Sequence, residues 1–147
     1  MDFDIQVKLA IYQHIAETTQ APAVEEVAAR VGAAPADVRE AYGRLYQNRV
    51  LVLEPDGISI RMAPPFSGVP TQHRVRVDDG RELFANCAWD ALGVLAALHR
   101  PGEVLSRCEQ TFEPIEFQVS TSGPEPEPCV IHFAVPAAHW WKDIVFT

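Results

Sequence analysis

The stretch Ala63-Pro64-Pro65-Phe66-Ser67-Gly68-Val69-Pro70 constrains this chain more than any other. Proline lacks the amide donor and fixes φ, so two adjacent prolines followed by Gly and a third proline cannot continue a helix or a central strand. The 147 residues are thereby divided, with a Pro-rich linker expected over 63–71. Residues 1–62 are mainly helix-periodic and residues 72–147 mainly β-rich, so the expected fold class is α+β. Neither part alone is long enough for a comfortable core, and the two are expected to pack on each other.

In the first part, Phe3, Val7, Ala10, Ile11 and Ile15 recur at helical spacing and predict an amphipathic helix over 3–18. Val24, Val27, Ala28 and Val31 line a second helix that Gly32 stops. Pro35 suits the first turn of a third, with Val38, Ala41, Tyr42 and Leu45 on one face. Two β-rich runs, 50–53 and 58–62, flank the turn Pro55-Asp56-Gly57. Three helices followed by a hairpin is the order of a winged-helix domain. Its charge argues against a nucleic-acid role. Residues 1–62 hold six Lys/Arg against nine Asp/Glu, and on the third helix Asp37 and Glu40 offset Arg39 and Arg44. A protein that binds by displacing counterions from DNA needs a basic footprint instead.

In the second part, strands are predicted over 73–77, 82–85, 103–108, 115–120 and 129–135. A helix over 87–98 forms the main helix of a small domain of antiparallel strands. A Pro/Glu/Gly loop covers 121–128, in which Glu125 and Glu127 are solvated charges. Residues 136–142 read as a short turn or helix, and 143–147 as the start of a last strand.

No apolar run approaches the roughly 20 residues of a membrane span, and the acidic start Met1-Asp2-Phe3-Asp4 is unlike a secretory leader. A cytoplasmic location is expected, with no membrane partner. Three cysteines without a CxxC pair make a disulfide framework or a structural zinc site improbable. The five histidines show no HxxxH or HExxH spacing, and no glycine-rich phosphate loop is visible, so no cofactor is expected.

The stretch that bears chemistry is Phe84-Ala85-Asn86-Cys87-Ala88-Trp89-Asp90. Cys87 opens a helix and Asp90 follows three residues later, on the same face. The partial positive charge of a helix N-terminus favours a thiolate, and a neighbouring carboxylate can move a proton beside it. A cysteine before an apolar helix is also an ordinary packing residue, and an aspartate in a first turn an ordinary complement to the helix dipole.

That stretch resembles the signature of the organomercurial (alkylmercury) lyases: aromatic residue, Ala, any residue, Cys, Ala, any residue, Asp. The segments Ala63–Ser67, Ser106–Thr111 and Trp140–Phe146 resemble family segments in the same order, and the winged-helix front half matches the family plan. The resemblance implies cleavage of a carbon–mercury bond. Cys87 is then the attacking thiolate that also binds mercury, and Asp90 the proton donor to the departing carbon, with a further role open to it as the base that first deprotonates the thiol. It implies a small organomercurial or other thiophilic substrate and external thiols to remove the metal; a homodimer is an assembly to look for, which the sequence itself does not settle. It also places the family's second catalytic cysteine just past Thr147, so the sequence is expected to stop short of it. Cys129 and Cys108 are the candidates for a second thiol, although Cys108 is expected to be a packed, structural group. Trp140-Trp141 is expected to be a packing anchor. Two other readings stay open: a non-catalytic relative that binds mercury or another thiophilic ligand, and a winged-helix transcriptional regulator.

Overall fold

A computed structural model describes residues 2–125 and 130–146. The first three helices follow the apolar periodicity. α1 (Phe3–Thr18) is capped by Asp2, whose carboxylate accepts from the Asp4 N–H at 2.9 Å, and it buries Val7, Ala10, Ile11 and Ile15. α2 (Val24–Val31) buries Val24, Val27 and Ala28, and its open N-terminus is satisfied by Glu26, which accepts from the Ala23 N–H at 2.8 Å. α3 (Pro35–Gln47) begins on proline and buries Val38, Ala41, Tyr42 and Leu45. The three pack around one core that Leu51, Ile60, Ala63 and Phe66 extend. Arg44 on α3 grips both carboxylate oxygens of Asp4 on α1 at 2.7 to 3.1 Å.

A three-stranded antiparallel sheet follows, in the order β1 (Val52–Leu53), β2 (Ile60–Ala63), β3 (Phe66–Ser67). Its strands are shorter than the sequence predicts. Asp56 explains one boundary: its carboxylate accepts from the N–H groups of Ile58 and Ser59, so those residues belong to the turn and pairing resumes at Ile60. Gly57 completes that turn at φ +73°. The Pro-rich stretch contributes more than a connection. Pro64 and Pro65, joined by a cis peptide bond, reverse the chain so that Phe66 pairs with Ala63.

The second sheet has five antiparallel strands in the order β5 (Glu82–Phe84), β4 (Arg74–Val77), β6 (Gly102–Arg107), β7 (Pro114–Ser120), β8 (Gly123–Pro124). β4 alternates strictly: Val75 and Val77 are buried, while Arg76 points outward and pairs with Glu82 and Glu103 on its two neighbours at 2.9 and 2.7 Å. α4 (Ala88–Leu98) connects β5 to β6 and packs Ala91, Val94 and Leu95 against β4 and β6. The molecule is therefore α+β, with helices first and antiparallel sheets after them. Phe66 bridges to Ala85, so the turn after β2 meets the segment that leads into α4.

Two predicted strands, 129–135 and 143–147, are absent among their described residues. Residues 130–135 form none, and Val130 is 93% exposed. An apolar run becomes a strand only where a sheet edge receives it, and on β7 the end at Val119 and Ser120 is taken by β8. Phe133 packs its ring near Trp89 and Trp140 instead, with centroids 6.4 and 5.1 Å apart. A 3-10 helix, Ala137–Lys142, stands where a turn or helix was expected. Residues 143–146 then form turns rather than a strand, closed by a bond from the Phe146 N–H to the Asp143 carbonyl. Among the described residues no helix is long and apolar enough to cross a membrane.

Candidate functional site

Cys87 is the N-cap of α4, in extended backbone at φ −151° and ψ 178°. Its carbonyl accepts the first helical bond, from the Ala91 N–H at 3.0 Å. Its sulfur takes the place usually held by a capping oxygen and accepts from the Asp90 N–H at 3.4 Å. The i to i+3 spacing thus brings both groups into the first turn, as the sequence predicts. The segment that delivers Cys87 is pinned to the sheet: the Ala85 N–H donates to the His73 carbonyl at 2.9 Å, and the Thr71 hydroxyl donates to the Ala85 carbonyl at 2.6 Å.

The carboxylate of Asp90 is held by a residue that the sequence reading passed over. Asn86 donates through Nδ2 to Asp90 Oδ2 at 2.9 Å and to the Pro65 carbonyl at 3.2 Å. Pro65 also lies against α4, since a Cβ placed on Gly93 would sit 3.0 Å from the Pro65 Cβ. On the far side of the turn, the Tyr12 hydroxyl donates to the Pro64 carbonyl at 2.8 Å, and its ring meets Phe66 edge-on at 5.9 Å. The front of the chain thereby reaches the surroundings of Asp90.

Electrostatics revise one expectation. Burial pushes the Cys87 thiol up; the Asp90 N–H pulls it down, the Asp90 charge pushes it up, and the Trp89 N–H pulls it down. The net direction is upward, so the helix N-terminus does not by itself make this cysteine a thiolate. The N–H groups at the helix start lower the thiol, and desolvation outweighs them. Burial likewise raises Asp90, partly offset by its bond from Asn86. Tyr12 is pushed up to about 12, by burial first and then by the Asp90 charge. A poorly ionised thiol beside a carboxyl of raised proton affinity forms a pair suited to passing a proton between its members.

Cys108 also departs from its expected role. It lies in the turn between β6 and β7, and is not a fully packed group. Its thiol is lowered by a hydrogen bond from the Thr111 side chain, then by the backbone N–H groups of Thr111 and Gln110. No described contact joins it to Cys87. Cys129 lies outside the described residues. Among those described, no group of three His, Cys, Asp or Glu side chains is placed to hold a metal ion. Trp140 serves as an anchor: its Nε1–H donates to the Val135 carbonyl at 2.7 Å, while Arg49 lies over the Trp141 ring at 6.0 Å. A cavity of about 460 Å³ opens between Tyr46, Leu53, Arg61 and Val145, and neither Cys87 nor Asp90 lines it. It holds no nucleophile beside an acid, so the chemistry points to the head of α4 instead.

Residues 66–147 match the family model described as MerB: Alkylmercury lyase. The chain belongs to the alkylmercury lyase family. Over 72 residues it is 36% identical to an alkylmercury lyase of Streptomyces lividans, an alignment covering 47% of this chain and 33% of that protein. It also superposes on the mercury-bound form of MerB2 with a TM-score of 0.69 and 28% identity, over 86% of this chain and 60% of that one. This chain thus spans a third of the curated relative and three fifths of the solved structure. The family match includes Cys87, Asp90, Asn86 and Cys108, whereas Tyr12, Pro64 and Pro65 lie before its first residue.

Proposed function

We propose that this chain cleaves the carbon–mercury bond of small organomercurials, with Cys87 as the attacking sulfur and Asp90 as the proton carrier. The observation that carries the reading is the Asp90 N–H bonded to the Cys87 sulfur at the head of α4, in a member of the alkylmercury lyase family. Mercury(II) is a soft cation for which thiolate is the preferred protein ligand. The raised thiol means that ionisation has to accompany the reaction, and Asp90 is the base within its turn.

The proton balance is closed. Asp90 as carboxylate takes the Cys87 proton, and the thiolate sulfur bonds to mercury in R–Hg⁺. Asp90 as acid then returns the proton to carbon as the carbon–mercury bond breaks. The products are R–H and mercury(II) on the Cys87 sulfur. A carbanion is too basic to leave unprotonated, so a carboxyl with raised proton affinity is a fitting donor. External thiols take the second coordination position and carry the metal away; no other cofactor enters the scheme.

The regulator reading finds little support. Arg44 is held by Asp4, and Arg39 is paired with Glu25 at 3.2 Å, so the cations of α3 are already engaged. The test is incubation with phenylmercury and excess thiol, with benzene followed by gas chromatography. Benzene from the wild-type chain, lost in Cys87→Ser, is the expected result. Mercury retained on the wild-type chain without benzene would replace the reading by one of binding alone.

A further inference from the structure

We propose that Asn86 is a positioning residue for the acid: it tethers one oxygen of Asp90 to the Pro64-Pro65 turn and leaves the other oxygen for proton transfer. The inference rests on the proposed lyase reaction and adds a residue to it. Asn86 directs a single nitrogen at two acceptors, Asp90 Oδ2 at 2.9 Å and the Pro65 carbonyl at 3.2 Å. A backbone carbonyl can only accept, so Nδ2 and not Oδ1 must face this pair, and the amide has one sensible orientation. Its Oδ1 is consequently buried without a hydrogen-bond partner among the described residues. A side chain present only to fill space would avoid stranding a buried acceptor. The two donated bonds account for an amide at this position.

The anchor itself is fixed from two directions. Tyr12 on α1 holds the Pro64 carbonyl at 2.8 Å, and the Pro65 ring abuts Gly93 one turn along α4 from Asp90. The Pro65 carbonyl is therefore a fixed point against which Asn86 sets the carboxylate. Asp90 Oδ1 accepts no hydrogen bond from the described residues, so the oxygen opposite the tether is the one available to carry the proton.

The test compares the full wild-type chain with Asn86→Leu, which keeps the γ-branched shape and removes both donors, and Asn86→Gln, which keeps the amide. Steady-state benzene release from phenylmercury is one readout. The other, in the free protein, is the titration midpoint of the Asp90 carboxyl carbon by NMR. Loss of the tether lowers kcat of Asn86→Leu roughly tenfold to a hundredfold with KM little changed, the scale expected for misplacing a reacting group. It also moves the carboxyl midpoint upward, because a donor to the charged form is gone. Asn86→Gln recovers part of both. A kcat and a midpoint equal to those of the wild type in Asn86→Leu would overturn the assignment, as would a loss confined to thermal stability. Absence of benzene from the wild-type chain would refute the lyase reading instead, and the NMR midpoint would still decide the role of Asn86.

Discussion

Tyr12 and Pro64 are 52 positions apart in sequence, yet the Tyr12 hydroxyl donates to the Pro64 carbonyl at 2.8 Å. This bond fastens α1 to the turn on whose next carbonyl Asn86 is anchored. Tyr12→Phe keeps the ring contact with Phe66 and removes only the donor. The expected cost is about 1 kcal/mol of folding stability, the usual value of one intramolecular hydrogen bond. Urea unfolding would show it as a lower midpoint with an unchanged slope. Benzene release should fall less than in Asn86→Leu, since Pro65 keeps its contact with Gly93.

Asp90→Asn should separate stability from activity. The folded pKa of Asp90 is raised, chiefly by burial. The stability contribution of such a group is fully present below the unfolded value and is lost as pH rises through the folded one. At pH 7 the native chain therefore lacks that contribution in part or whole, because burial disfavours the ionised carboxyl. A neutral amide removes that burden, and its oxygen can still accept from Asn86. Asp90→Asn should unfold at higher urea than the wild type at pH 7, with the advantage shrinking near pH 4, while hydrocarbon release is lost. Equal midpoints at pH 7 would contradict the burial argument.

The two described cysteines should differ in reactivity in the order opposite to their proposed importance. Burial raises Cys87, whereas hydrogen bonds led by the Thr111 side chain lower Cys108. The thiolate is the nucleophile that iodoacetamide alkylates, so at neutral pH a limited amount of the reagent should label Cys108 before Cys87. Thr111→Val should slow the labelling of Cys108 and leave Cys87 unchanged. Peptide mapping by mass spectrometry reads both rates.

Tyr42 supplies a test of the helical core. It is fully buried, and its hydroxyl has no hydrogen-bond partner among the described residues. Removing an unsatisfied buried hydroxyl should be favourable, so Tyr42→Phe should stabilise the chain by about 1 kcal/mol. Destabilisation in thermal or urea unfolding would show that the hydroxyl has a partner after all.

The parts of this molecule that were legible in sequence are those governed by local rules. Val7, Ala10, Ile11 and Ile15 declare α1 by spacing, and the alternation of Val75 and Val77 with Arg74 and Arg76 declares β4. The pairing of Cys87 with Asp90 is equally local, being one helical turn. The rest depends on long-range placement. Asn86 and Pro65 are 21 residues apart, and nothing in either neighbourhood announces their bond. The apolar run near Phe133 looked like a strand because composition does not reveal whether a sheet edge is open to it. The direction of the Cys87 shift is not legible in sequence for a related reason: the helix dipole can be read from position, but burial cannot. Asn86 did leave one faint signal, a polar amide directly before the N-cap in an otherwise apolar approach to the helix.

Intact-protein mass spectrometry of Asp90→Asn after one equivalent of phenylmercury tests the central claim most directly. The thiolate and proton-carrier scheme predicts that this variant accumulates phenylmercury on Cys87 with the phenyl group intact, while the wild-type chain carries mercury alone and has released benzene. Loss of the phenyl group from Asp90→Asn at the wild-type rate, or absence of an adduct on Cys87 when Cys108 and Cys129 are replaced by serine, would contradict it.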